Sequence, residues 1–276
     1  MSTPACIRLL IVDPQNDFCD LPADRRAAGQ TPALPVPGAH ADMQRLAAFI
    51  DRAGTTLDEI AITLDSHHRL DIAHPGFWRQ AGGEAVTPFT EIRCAQVESG
   101  EYQPADSRGL ERAIGYLRRL ESQGRYTLMV WPEHCVMGTW GRNVHAAVLT
   151  ATRRWSLAVN KPTRFVTKGL NPWTEHYSAL QAEVPDPADP ETQFNEALSD
   201  WAREADTLLL AGEAGSHCVG ATLEHLLDHW PPELARHITL LADCISPVSG
   251  FEAAYQGILT RARARGVSVV PSTELA

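Results

Sequence analysis

Short apolar runs alternate with longer amphipathic stretches along most of the chain, and this alternation limits the fold more than any other feature of the sequence. The apolar runs occupy residues 7–12, 59–64, 126–131, 164–167, 207–211, 237–241 and 267–270. Runs this short, rich in Val, Ile and Leu, read as largely buried strands of a parallel sheet. Residues 41–53, 109–120, 143–153, 192–204, 217–229 and 250–265 carry apolar side chains at helical spacing. Strands alternating with helices build βαβ units. The expected fold is therefore α/β, a doubly wound and mainly parallel sheet with helices on both faces.

Three stretches break the pattern. Residues 19–37, 74–106 and 171–190 contain repeated Pro, Gly or mixed charge and read as loops. None resembles a linker, and no internal repeat is evident. The expected organisation is one domain over residues 1–276, with a long insertion at about 74–123 and extended loops around a site.

Charge and cysteine usage narrow the function classes. The formal net charge is −10, so the surface repels phosphates and suits neither nucleic acid nor anionic lipid. Neutral or weakly charged small molecules are the easier ligands. No apolar run is long enough to span a bilayer. The first apolar run is followed at once by Asp13 and Asp17, which is not the order of a secretory signal. A cytoplasmic protein is expected, with no membrane or nucleic-acid partner; a homo-oligomer is left open. Six cysteines at 6, 19, 94, 135, 218 and 244 show no close pairing. In a reducing compartment they read as free thiols, most of them buried filler.

Ligands of a doubly wound sheet bind outside the carboxyl ends of its strands, so reactive residues just after the expected strands matter most. Asp13 follows the first run, Asp65 and His67 the second, His134 the third and Lys168 the fourth. Cys218 follows the fifth, in the turn Gly212-Glu-Ala-Gly-Ser-His-Cys-Val219. Five successive strand ends would thus bring a carboxylate, metal-type ligands, a lysine and a thiol to one rim. A cysteine in the first turn of a helix is favoured as thiolate by free backbone N–H groups and the helix dipole. The same N–H groups suit an oxyanion. Asp13 can take the thiol proton, and an ammonium at Lys168 favours the thiolate.

Each residue has a plainer reading when taken alone. Cys218 would pack a helix start, Asp13 would cap a turn, and Lys168 would be a solvated surface charge. Asp65-Ser-His67 puts two ligand-type side chains on the same side of an extended segment. His74 and His134 can add to it, and mixed carboxylate and imidazole ligation suits zinc, iron or manganese. An isolated D-x-H triplet is weak by itself. His68 would point the other way, and His145 reads as surface or a helix cap. Cys135 is a second thiol near the rim, expected to be structural.

Four segments, in order along the chain, carry a resemblance. They are Ile11-Val-Asp-Pro-Gln-Asn-Asp-Phe18; Asp65-Ser-His67 with His74; Trp131-Pro-Glu-His-Cys-Val-Met-Gly-Thr-Trp-Gly141; and the Cys218 turn running on to Thr222. Lys168-Gly169 and Tyr177-Ser178 lie between the last two. Together they resemble the nicotinamidase branch of the isochorismatase-like cysteine hydrolases. The resemblance implies a catalytic triad of Asp13, Lys168 and Cys218. It implies one divalent metal ion, zinc first with iron or manganese as alternatives, held by Asp65, His67 and His134 with His74 as a further ligand. It implies an oxyanion hole from the N–H groups of Ala214 and Cys218 beside a cis Glu213–Ala214 peptide, and a substrate pocket touching Phe18, Gln15, Trp131 and Tyr177. The implied reaction is hydrolysis of nicotinamide, or a related aryl carboxamide, to the acid and ammonia through a thioester, as in NAD salvage. In such enzymes the metal receives the pyridine nitrogen.

The chain also departs from the family. Its nucleophile turn reads Gly-Ser-His-Cys where many nicotinamidases have a Thr-Asp pair. Its lysine loop is long and carries Glu175 and His176. The insertion adds Phe77, Trp78, Arg79, Arg93, Glu98 and Tyr102, placed near a site entrance or else on a lid and surface without substrate contact. Two other readings follow. One is a cysteine hydrolase of another heteroaromatic or ureido amide; the other is a non-catalytic metal- or ligand-binding member of the fold.

Overall fold

The computed structural model describes residues 5–275. In chain order the main elements are β1 (Ile7–Val12), α1 (Ala39–Ala53), β2 (Glu59–Asp65), β3 (Trp78–Gln80), β4 (Thr90–Ile92), α2 (Cys94–Glu98), β5 (Tyr102–Pro104), α3 (Leu110–Ser122) and β6 (Leu128–Val130). They continue with α4 (Ala146–Val159), β7 (Arg164–Lys168), α5 (Glu196–Arg203), β8 (Thr207–Gly212), α6 (Cys218–His229), β9 (Ile238–Leu241), α7 (Glu252–Ala264) and β10 (Ser268–Val270). Every apolar run expected as a strand contains one, and every stretch with helical spacing contains a helix.

Six strands form one sheet in the order β10-β9-β8-β1-β2-β7, and each neighbouring pair is parallel. The chain builds outward from β1 to one edge, then returns beside β1 and builds to the other. The strand order therefore reverses between β1 and β8, where doubly wound sheets open a crevice for ligand.

Side-chain alternation sorts the strands' residues between two apolar layers. Leu10, Val12, Leu208 and Leu210 pack with Trp201 of α5, Leu226 of α6 and Ile258 of α7. Leu9, Ile11, Leu209 and Ala211 face the other way, against Met43 and Phe49 of α1 and Trp155 of α4. Both faces are covered, which is why these strands are almost continuously apolar.

Two expectations are corrected. The run at 126–131 does form a strand, but not in the main sheet: β6 pairs antiparallel with β4. The place beside β2 is taken by β7. An apolar run signals burial but not which partner it pairs with. The stretch 74–106, read as loop, contains β3, β4, β5 and α2. Strands of three residues are too short to show a period. These elements, with α3 and β6, surround a third apolar cluster built on Trp78, Ile92, Tyr116, Leu117 and Val130.

Among the described residues, no helix is long and apolar enough to cross a membrane.

Candidate active site

The crevice at the strand-order reversal is made by a close approach of β1 and β8. Gly212 has φ +116°, and a Cβ on it would collide with the backbone of Val12. Only glycine fits there. Next to it, Asp13 leaves β1 with φ +45° and is fully buried. Its N–H donates to Thr63 Oγ1 at 3.0 Å, and the Thr63 hydroxyl donates back to Oδ1 at 2.6 Å. The other oxygen, Oδ2, lies 3.0 Å from Lys168 Nζ.

Lys168 closes β7 and is buried, not a surface charge. Its Nζ lies 3.0 Å from Asp65 Oδ1, donates to His176 O at 2.7 Å and stands 3.7 Å from Cys218 Sγ. Burial disfavours the ammonium, but Asp13 and Asp65 hold its pKa well above the usual lysine range. Cys218 begins α6 and is buried. Burial raises its thiol pKa, Lys168 opposes the shift, and the hydrogen-bonding Asp13 carboxylate adds to it. For Asp13, burial raises the pKa against the pull of Lys168. The resting arrangement is therefore a thiol beside a compensated ion pair.

The turn before Cys218 holds a cis Glu213–Ala214 peptide. Its carbonyls and amides are mostly used: Glu213 N donates to Val12 O, Gly215 N to Ser246 O and Val219 N to Ala214 O. The N–H groups of Ala214 and Cys218 make no such bond among the described residues, and both residues line the same cavity.

The metal-type residues also converge. Asp65 Oδ2 lies 2.9 Å from His67 Nε2 and 3.4 Å from His134 Nε2. His67, His74 and His134 each offer a ring nitrogen, all within 4.8 Å of one another. The remaining nitrogens of two rings are held from outside: His67 Nδ1 by Asp71 Oδ2 at 3.0 Å and His134 Nδ1 by Pro132 O at 2.8 Å. Outer acceptors of this kind orient metal-binding imidazoles. Separations near 3 Å are those of ligands sharing one small cation with bonds of ~2.1 Å. His74 is fully buried with Nδ1 unpartnered, and burial with neighbouring His134 and His67 pushes its pKa down to about 2. It is a neutral imidazole, the form that ligates metal. The donor set fits a divalent cation.

The loop carrying His134 is fixed by Asp17, whose Oδ2 accepts from Cys135 N at 2.7 Å. A Cβ at Gly141 would displace that carboxylate. Cys135 itself is fully buried, and burial raises its pKa well above the usual value.

A cavity opens over Cys218, walled by Phe18, Trp131, Tyr177, Glu175 and His217, with Asp65 and His134 at one side. Trp131 Nε1 donates to Tyr177 OH at 3.0 Å, so the two rings brace each other. His217 lies edge-on to Trp131 with centroids 5.2 Å apart, and Phe251 stands 4.7 Å from His217.

One site expectation changes, and two that were left open are resolved. Gln15 was expected at the substrate; its Nε2 instead donates to Asp65 O and Arg142 O, and its Oε1 accepts from Asp65 N. With the whole amide committed, it holds Asp65 in place. Phe77 and Trp78 belong to the third apolar cluster with Tyr102 packed against it, and Arg93 and Glu98 pair with exposed Glu91 and Arg118. None of these, nor Arg79, lines the cavity. His145 caps α4 through Ala147 N but is buried, not on the surface. His68 is exposed, as its position beside His67 implied.

Residues the sequence did not single out include Thr63, Asp71, His217 and Phe251. Phe251 follows Gly250 in the turn before α7 and carried no signal of its own. Asp71 is four residues after His67, a spacing that becomes meaningful only once His67 is a ligand.

Solved structures similar to this chain include a nicotinamidase/pyrazinamidase of Acinetobacter baumannii, at 18% identity and TM-score 0.63, covering 100% of both chains. A yeast nicotinamidase bound to the inhibitor nicotinaldehyde matches at 18% identity and TM-score 0.59, covering 96% of this chain and 99% of that one. A Pyrococcus horikoshii pyrazinamidase in complex with zinc matches at 18% identity and TM-score 0.54, covering 96% and 98%. No protein-family model and no curated protein matches the sequence. At this identity the likeness establishes a common fold over the full length.

Proposed function

We propose that this chain is a metal-dependent cysteine amidohydrolase that converts nicotinamide, or a related aryl carboxamide, to the acid and ammonia. The observation that carries the reading is the line Asp13 Oδ2–Lys168 Nζ–Cys218 Sγ, with steps of 3.0 and 3.7 Å in a buried crevice. Its support from outside the chain is the shared fold with nicotinamidases and pyrazinamidases.

The chemistry follows from charge conservation. Ionising Cys218 by losing its proton to solvent would leave net charge in a buried site, which burial resists. Passing that proton to Asp13 Oδ2 only moves a negative charge from oxygen to sulfur, and Lys168 compensates it in both places. The thiolate then attacks the carboxamide carbon, and the N–H groups of Ala214 and Cys218 take the developing oxyanion. The C–N bond breaks as Asp13 returns the proton to nitrogen, and ammonia leaves. Water, giving a proton to Asp13, hydrolyses the thioester. The acid departs and the proton goes back to Cys218.

Asp65, His67, His134 and His74 would hold the cation, and zinc is the first choice, as in the Pyrococcus neighbour. When bound, it supplies an electron-pair acceptor for a heteroaromatic nitrogen of the substrate. Phe18, Trp131 and Tyr177 sandwich the ring and exclude water. Nicotinate from nicotinamide would enter NAD salvage, a cytoplasmic process.

The test is ammonia release from nicotinamide and pyrazinamide by metal-loaded protein. Cys218→Ala should lower kcat/KM by about 10⁴-fold or more, as loss of a nucleophile does, with unchanged circular dichroism. Trapping with slow substrates should add an acyl mass to the peptide bearing Cys218. An adduct on another residue, or activity retained in Cys218→Ala, would reassign the nucleophile.

A further inference from the structure

Glu175 is the feature that the proposed reaction does not use. It stands in the lysine loop, 4% exposed, in the wall of the cavity over Cys218. Its backbone is fully occupied: the N–H donates to Tyr116 OH at 3.2 Å and the carbonyl accepts from Glu183 N at 2.8 Å. Its Oε1 accepts from His176 N at 3.1 Å. Its Oε2 is buried with no partner among the described residues.

A buried carboxyl oxygen without a partner is unfavourable and calls for a reason. The other walls do not provide one. Phe18, Leu34 and Val248 are apolar, the Trp131 N–H is given to Tyr177 OH, and no polar group among the described residues, the Tyr177 hydroxyl included, makes a hydrogen bond to Oε2. The backbone on both sides pins Glu175, so the side chain is not free to seek solvent. Glu175 itself lines the cavity over Cys218, so a substrate seated there would come against it.

We propose that Glu175 is a specificity-determining residue, its free oxygen accepting a hydrogen bond from an N–H or O–H group on the ring of the aryl carboxamide. This rests on the functional reading above and narrows it: preferred substrates carry a donor in addition to the amide. A site built to pair a polar group discriminates strongly against an analogue lacking it, because its own buried group is then left unsatisfied.

Binding separates this idea from the hydrolysis reading. Metal-loaded Cys218→Ala protein is titrated calorimetrically with the ring-amino and ring-methyl nicotinamides, isomer by isomer. At one ring position the amino compound should bind about tenfold or more tightly than its methyl counterpart. Adding Glu175→Leu should bring that ratio close to one, with bound metal unchanged. Adding Glu175→Gln, whose single carbonyl oxygen is taken by His176 N and which leaves a donating NH2 where the free oxygen stood, should likewise bring the ratio close to one or below; this arm decides the matter if the leucine variant does not fold. Equal binding of amino and methyl compounds at every position overturns the proposal. So does a ratio that neither substitution changes. Loss of metal from Glu175→Leu with equal weakening of both ligands also overturns it, because Glu175 would then serve the cation site. Failure of the nucleophile-intact enzyme to hydrolyse any of the amides would sink the hydrolase reading alone, since the binding ratio is measured separately.

Discussion

The sheet rim and residues 74–123, the insertion expected from the sequence, treat charge in opposite ways. At the rim, Asp13, Asp65, Lys168 and His67 are all buried, and each charge lies within about 3 Å of an opposite or hydrogen-bonding partner. In the insertion, α2 and α3 bury Val97, Tyr116 and Leu117 in an apolar cluster and leave their charges outside, as in the Arg118–Glu98 pair with side chains 68% and 46% exposed. Buried charge is strong and reactive because water does not screen it, and for that reason it must be compensated. Exposed charge keeps the insertion soluble and contributes little else. The two regions should therefore respond very differently to loss of a single charge.

Lys168→Met is the largest break. It removes the cation shared by Asp13 and Asp65 without opening a cavity, leaving two buried carboxylates facing each other. Breaking a buried pair from one side destabilises by about 3–5 kcal/mol, to be read from urea unfolding of the metal-free protein. Hydrolysis should fall about a thousandfold or more, since the thiolate loses its compensating charge. Stability within about 1 kcal/mol of the parent would mean that the rim charges are solvated, and that the contrast with the insertion is wrong.

This contrast also explains what was legible beforehand. Strands of the main sheet announced themselves because both faces are buried, and Asp13, Asp65, Lys168 and Cys218 stood out as polar residues where apolar runs stop. The insertion was opaque for the same reason: β3, β4 and β5 have three residues each, and pairing between distant short segments leaves no local period. Run 126–131 shows the limit from the other side, since β6 looks like a sheet strand and pairs elsewhere. Gln15 sat in a telling motif, yet its role depends on where Asp65 and Arg142 place their carbonyls, which no spacing encodes. Glu175 drew notice only as a departure from pattern; its free oxygen is a property of the packed loop.

Glu183 lies at the seam between the two regions and should behave in between. It is buried with Oε1 unpartnered, its carbonyl accepts from Gln123 Nε2 beyond α3 at 2.8 Å, and neighbouring Val184 joins the insertion's cluster. Burial raises its pKa to about 7 against the opposing pull of Arg125. An acid whose folded pKa exceeds its unfolded one binds its proton more tightly when folded. The resulting stability is full below the unfolded value of about 4.5 and is lost as pH rises through about 7. Glu183→Gln mimics the protonated form. It should match the parent near pH 4.5 and be the more stable protein at pH 8, by an amount on the order of 3 kcal/mol. Parallel stability curves for the two proteins from pH 4.5 to 8 would show that this carboxyl is already solvated, and that the seam belongs with the insertion.

The smallest effect is expected in the insertion itself. Glu98 lies at the end of α2, with Oε1 2.7 Å from Arg118 Nη2, and the pair bridges α2 to α3 across open solvent. Water competes for both groups, salt screens them, and holding two long side chains together costs conformational freedom. Neither residue lines the cavity over Cys218. Glu98→Ala should leave the urea midpoint within measurement error at physiological salt and kcat/KM within about twofold of the parent. A clear loss of stability would place the pair in a drier setting than the geometry gives it. A loss of activity alone would mean that the insertion reaches the catalytic crevice during turnover, and the division of labour between rim and insertion would have to be redrawn around that contact.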